Sequence, residues 1–300
     1  MRFNGSMSSV KCDNKKNSLT DNRLFNYAAG GVAGWGTYRA TRAAIVKPYG
    51  RYYTDVMKKI ITDEHISIAD AAKDVFQTSK LRVNGVQIKE LTKDTADTFI
   101  NETVSRAYPK MKPRKNLLYY ILGPNKADKL RNSLKSVAEG NNACYIPWMK
   151  TVAVNSDKKG FAVFHELGHA MNQTGKGLGK SLHRIRNYGS LALPFVLAYG
   201  LLTNKKENPR YADEKVHNFV KEHCGALMFA CMIPTLMEEG LASINGAKIA
   251  KPKLSKDLYN KMCKGYTRAW GTYAMSAIAI GLCGSLAVYV RDKVVGNKKS

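Results

Sequence analysis

Residues Trp270–Val290 form a run of 21 residues without a charged side chain, flanked by Lys264 and Arg268 before it and Arg291 and Lys293 after it. At about 1.5 Å per residue, a helix of that length covers about 30 Å, the thickness of a bilayer's hydrocarbon core. A transmembrane helix followed by a basic tail is therefore expected over residues 269–300. A buried core helix is the alternative. Two shorter apolar runs, Ser190–Thr203 and Cys224–Met237, hold 14 residues each and contain Pro194 and Pro234. Each covers only about 21 Å as a helix, which suits a buried helix or a partial span. With the polar stretch Asn204–Glu222 between them, they predict a hydrophobic hairpin over 190–237. A hairpin returns the chain to its starting side, so the residues after it, Glu238-Glu239, come back toward what precedes it.

What precedes it is Phe164-His165-Glu166-Leu167-Gly168-His169, a His-Glu-x-x-His motif inside an apolar-periodic segment. On a helix, His165 and His169 share a face, and both rings can reach one zinc ion at about 2.0–2.1 Å. Glu166 lies a quarter-turn away and can approach a metal-bound water without being a ligand. Phe161, Ala162, Val163, Leu167, Ala170 and Met171 leave little polar surface beside the motif. A helix this apolar is buried, and buried imidazoles and carboxylates require partners. Gly168 lowers helix propensity by about 1 kcal/mol relative to Ala, which close packing would explain. The pattern predicts a zinc metallopeptidase with one Zn2+ per chain. The ion lowers the pKa of its water toward about 7, and Glu166 takes the proton as general base. A catalytic zinc takes a third protein ligand. Glu238 and Glu239 end an apolar run, and adjacent helical residues point about 100° apart, so one of them can face the metal. Tyr188, His183 and His223 are candidates for stabilising the oxyanion, and Asn172 for supporting a ligand imidazole. His65 and His217 read as surface histidines.

Lys and Arg number 48 against 23 Asp and Glu, a net charge of +25. Such an excess suits an anionic partner. The charges are spread along the chain with no zinc-finger or RNA-recognition signature, so anionic membrane lipids are the expected partners and nucleic acid is disfavoured. The six cysteines form no Cys-x-x-Cys pair and no disulfide framework. Residues 1–24 are polar, lack the apolar core of a secretion signal and read as a disordered tail.

Residues 25–140 read as a helical N-terminal region. Tyr27–Val46 is Ala- and Gly-rich, with Gly30 and Gly34 in small-xxx-small spacing, and predicts a packed or membrane-associated helix over 27–46. Val56, Ile60 and Ile61 share a helical face. Ser67 with Asp70 reads as a helix start, continued by Ile68, Ala72, Val75 and Phe76. Phe99, Ile100, Val104 and Ala107 repeat the 3–4 spacing, closed by Pro109 and Pro113. Another helix is expected from Lys126 to Glu139, stopping at Gly140. Ala143–Val154 has strand composition. With Pro147 inside it, an edge strand or bulge is expected, where an extended peptide could add as a further strand. The fold class is mainly α with a small β-sheet (α+β).

The order of elements resembles the gluzincin class of zinc peptidases, more narrowly the membrane-embedded M48-type peptidases. Asn142-Ala143, Pro147 and Val152-Ala153-Val154 are similar to the strand before the metal helix there. His165-Glu166-Leu167-Gly168-His169 matches the metal motif, and Glu239-Gly240-Leu241-Ala242-Ser243 resembles the element carrying the third ligand. The resemblance covers about a third of the chain. It implies a zincin-like catalytic core within 141–268, His165, His169 and Glu239 as ligands, Glu166 as the catalytic residue, a peptide or protein substrate, and an integral, multi-pass membrane location. Ser243 departs from it, standing where that family has an Asp that orients a ligand histidine. A catalytically inactive membrane scaffold with a zincin fold is the second reading, and a basic nucleic-acid-binding protein the third.

Overall fold

The structure is a computed structural model that describes residues 23–52, 65–111, 125–206 and 208–295. It is mostly helical with one three-stranded sheet, the expected α+β composition. The tail expected over 1–24 lies outside the described residues up to Asn22, as do Val56, Ile60, Ile61, Pro113 and the last five residues.

The sheet is built from β1 (Gln87–Glu90), β2 (Cys144–Ile146) and β3 (Thr151–Val154) in the order β1-β3-β2. β3 lies in the middle, parallel to β1 and antiparallel to β2. Its side chains alternate between two cores, as a strand's period of two requires. Val152 and Val154 pack with Ile68, Phe164 and Leu167, while Ala153 packs with Ile100, Leu134 and Val137 on the other face. The single strand expected over 143–154 is thus a hairpin. Pro147 opens a 3-10 turn, Pro147–Met149, between the two strands. There its fixed φ is suited and its missing N–H costs no ladder bond. The expected sheet edge survives as β2, while β3 is central.

One face of the sheet carries α4 (Ala96–Ala107) and α5 (Lys126–Ala138). In α5, the Asn125 side chain accepts from the Asp128 N–H at 2.9 Å and Asp128 returns the bond, a reciprocal cap. The helix stops where expected, with Gly140 at φ +77, a left-handed conformation that glycine adopts without steric cost. The other face carries α2 (His65–Thr78) and α7 (Ala162–Thr174), and α3 (Lys80–Val83) and α6 (Ser156–Lys159) complete this part. Ile68, Ala72 and Val75 are buried as their spacing predicts. Ser67, however, falls inside α2 rather than at its N-cap.

The remaining helices form a bundle. α1 (Arg23–Thr41) continues through a π-helical turn, Arg42–Val46, and packs along α11 (Lys256–Val295). The hairpin arms lie within α8 (Leu178–Leu202) and α10 (Cys224–Ala250), joined through α9 (Ala212–Glu222). α10 packs on α7, α8 and α11. Among the described residues, two helices are long and apolar enough to cross a membrane, Cys224–Ala250 and Lys256–Lys293. The second contains the run 270–290; the first extends the shorter expected run 224–237 by more than three turns beyond Met237. The five described cysteines are free.

Candidate metal centre

The metal motif opens α7, whose inner face is buried between the sheet and α10. Gly168 explains how a third ligand reaches it. A Cβ at this position would lie 2.0 Å from the Ala242 carbonyl oxygen, and one at Gly246 2.3 Å from that of Phe164. The two glycines let α7 and α10 meet backbone to backbone. At that crossing, Glu239 projects toward the imidazoles.

The Glu239 Oε2 atom lies 3.3 Å from His165 Nε2 and 3.4 Å from His169 Nε2. Donor atoms held at about 2.0–2.1 Å on a tetrahedral ion stand about 3.3–3.4 Å apart. Glu239 Oε2 is also buried without a hydrogen-bond partner. An orphaned buried carboxylate oxygen is costly, and an ion between it and the two nitrogens removes that cost. The residues therefore fit a metal ion, and two nitrogens with one carboxylate oxygen suit zinc.

Glu238, the other carboxylate of the pair, has a different task. It is fully buried, and its Oε1 accepts from His169 Nδ1 at 2.9 Å, His183 Nδ1 at 3.0 Å and Asn172 Nδ2 at 3.2 Å. Arg186 donates to its Oε2 at 2.6 Å. His169, His183 and Glu238 also stand close enough together to hold an ion. That carboxylate already accepts from four donors, whereas Glu239 Oε2 accepts none. The Glu238 bond fixes the Nδ1–H of His169 and turns Nε2 to the metal position. His165 Nδ1 is held in the same way by the Ser243 hydroxyl at 3.0 Å. The serine that departs from the M48-type pattern thus still orients the histidine, with a hydroxyl in place of a carboxylate.

These atoms face a cleft of about 360 Å³, lined also by Glu166, by Cys144 and Tyr145 of the edge strand β2, and by Tyr273 of α11. Burial, helped by the Glu166 carboxylate, pushes the Cys144 thiol up to about 12, so it stays neutral and is no nucleophile at pH 7.

The expected site residues divide clearly. His165, Glu166, His169 and Glu239 come together, and Asn172 does support a ligand imidazole, through Glu238. The three oxyanion candidates do not reach the cleft. His183 is buried on Glu238, Tyr188 is exposed, and His223 stacks on Phe219 at the opposite end of α10 from the metal ligands. Their places on the cleft wall are taken by Arg186 and Tyr273. His183 and Arg186 carried one sequence signal, an i,i+3 pair of polar residues on a helical face just before an apolar run. Tyr273, one aromatic in a long apolar helix, carried none.

No protein-family model, curated protein or solved structure matches this chain.

The metal-free site has a consequence for pH. Burial alone disfavours a charged His169 ring, but its hydrogen bond to Glu238 and the nearby negative charges of Glu239 and Glu166 outweigh this and raise its pKa to about 10. The unfolded value is about 6.5. Its charge therefore contributes stability to the metal-free fold that is fully present below about pH 6.5 and is lost as the pH rises through about 10. Metal binding requires the neutral ring, so an ion bound there must displace that proton. Calorimetry at pH 7.5, in buffers of differing ionisation enthalpy, is expected to find about one proton released per zinc bound, with affinity increasing up to about pH 10. Zinc uptake without proton release would contradict this.

Proposed function

We propose that this chain is a membrane-associated, zinc-dependent endopeptidase. The observation that carries the reading is the approach of the partnerless Glu239 Oε2 to His165 Nε2 and His169 Nε2, at 3.3 and 3.4 Å, in a cleft that also holds Glu166. A bound zinc would supply Lewis acidity, polarising a carbonyl and making water a nucleophile near neutral pH.

The chain's own residues supply the rest. Glu166 accepts a proton from water in the cleft and delivers it to the leaving amine. Glu238 and Ser243 hold the ligand imidazoles in one tautomer. Among the described residues no strand pairs the outer edge of β2 beside the motif, where an extended peptide gains main-chain hydrogen bonds as a fourth strand. Tyr273 offers a hydroxyl donor to the developing oxyanion.

Membrane association is supported by the apolar bundle surface. Phe195, Leu191, Ile233, Leu282 and Leu286 are all exposed on helices α8, α10 and α11. Exposed apolar side chains of this size suit lipid rather than water. The net charge of +25 would draw the chain to anionic headgroups.

Metal analysis of the purified protein tests the assignment. Wild type is expected to carry about one zinc per chain and to cleave peptides, while His165→Ala and Glu239→Ala lose most of the metal. Full zinc retention in Glu239→Ala would remove it from the ligand set. Full zinc loading without cleavage of any peptide in a broad library would favour the inactive scaffold.

A further inference from the structure

The cleft wall holds a cation with no assigned task. Lys159 ends α6, two residues before Phe161, and both side chains line the cleft with His165 and Glu166. The Lys159 ammonium sits 5.6 Å from the centre of the Phe161 ring, and the residue is half-buried. Among the described residues, no carboxylate stands within ion-pair distance of it. Burial pulls its pKa down and no carboxylate opposes the shift. The other cation of the cleft is committed, since Arg186 bonds Glu238. The neighbouring Lys158 is also engaged, donating to the Glu139 carbonyl at 3.2 Å. A partly desolvated ammonium is costly without a counter-ion, and the space in front of this one is where a substrate would lie.

We propose that Lys159 is a specificity-determining residue of this cleft, binding a carboxylate of the substrate, either an acidic side chain or a free C-terminus. The inference rests on the peptidase reading for the word substrate, but peptide binding tests it without turnover. Phe161 supports the role: its ring attracts the ammonium at 5.6 Å, so an arriving carboxylate meets a preoriented charge. The ring also favours a cation over an anion at that position, so a neutral or basic peptide group gains nothing equivalent.

The test uses full-length, zinc-loaded protein carrying Glu166→Gln, so that bound peptides persist. Fluorescently labelled seven-residue peptides are compared in matched pairs. One pair differs by Asp against Asn at the central position; the other differs by a free against an amidated C-terminus. At physiological ionic strength, the carboxylate member of one pair is expected to bind at least about tenfold more tightly. Which pair discriminates identifies the source of the carboxylate. Adding Lys159→Met should reduce that ratio to within about twofold, whereas Lys159→Arg should preserve most of it. Equal binding of acid and amide members in both pairs, including no binding of either, would overturn the assignment. So would an unchanged ratio in Lys159→Met. Cleavage by the wild-type protein is scored separately. Discrimination without any cleavage would sink the peptidase reading and leave Lys159 as the carboxylate site.

Discussion

Replacing Glu166 with Gln is expected to leave zinc bound at about one per chain while lowering peptide cleavage about 10³-fold. The first half of that expectation comes from the donor geometry. Glu239 Oε2 completes the set with the two Nε2 atoms, so Glu166 is not needed as a ligand. The second half comes from the size of general-base effects, about 10²–10⁴ in rate. The change is isosteric and leaves the supports of the ligand histidines, Ser243 and Glu238, in place. Metal content and kcat measured on the same preparation separate two arrangements. His165, Glu166 and His169 also lie close enough to one another to hold an ion. If Glu166→Gln lost metal and activity together, that set would replace the one with Glu239.

A second large effect is expected at a residue that offers no ligand atom itself. Gly168→Ala would set a methyl group 2.0 Å from the Ala242 carbonyl oxygen, on backbone that cannot rotate away. The two helices must separate, at a cost of about 3 kcal/mol or more, although alanine is the better helix former by about 1 kcal/mol. Separation carries Glu239 away from the imidazoles, so zinc content should fall along with the unfolding temperature. Gly31→Ala is the matched control. It lies in α1 with nothing within 4 Å of the added methyl, and should be neutral or slightly stabilising. Thermal unfolding in detergent and metal analysis of the two variants give the comparison. A fully loaded, wild-type-like Gly168→Ala protein would contradict the backbone contact between α7 and α10.

Local patterns carried much of the fold. The helix over Lys126–Ala138 and its stop at Gly140 follow from 3–4 periodicity and one left-handed residue, both properties of neighbouring residues. The strand composition of 143–154 was equally visible, but its division into β2 and β3 was not. A proline can sit in an edge strand or open a turn, and only the pairing partner decides which. Ser67 misled for a related reason. A cap signature needs the residues before it to leave the helix, and here the helix already includes His65.

The amino-acid sequence by itself determined that His165 and His169 share one face with Glu166 beside them, because a helix of 3.6 residues per turn puts positions four apart on one face whatever surrounds it. It also determined that residues 270–290 form a long apolar helix. Only the tertiary structure decided which of Glu238 and Glu239 faces the Nε2 atoms. Both are buried, and their tasks part because α10 crosses α7 at Gly168 with one rotation, turning one carboxylate to the Nε2 atoms and the other to Nδ1. The crossing angle and rotation of two helices distant in sequence depend on packing along their whole contact, and no short stretch of residues encodes that. Arg186, Tyr273 and Lys159 became visible for the same reason: a cleft exists only once its walls have been assembled.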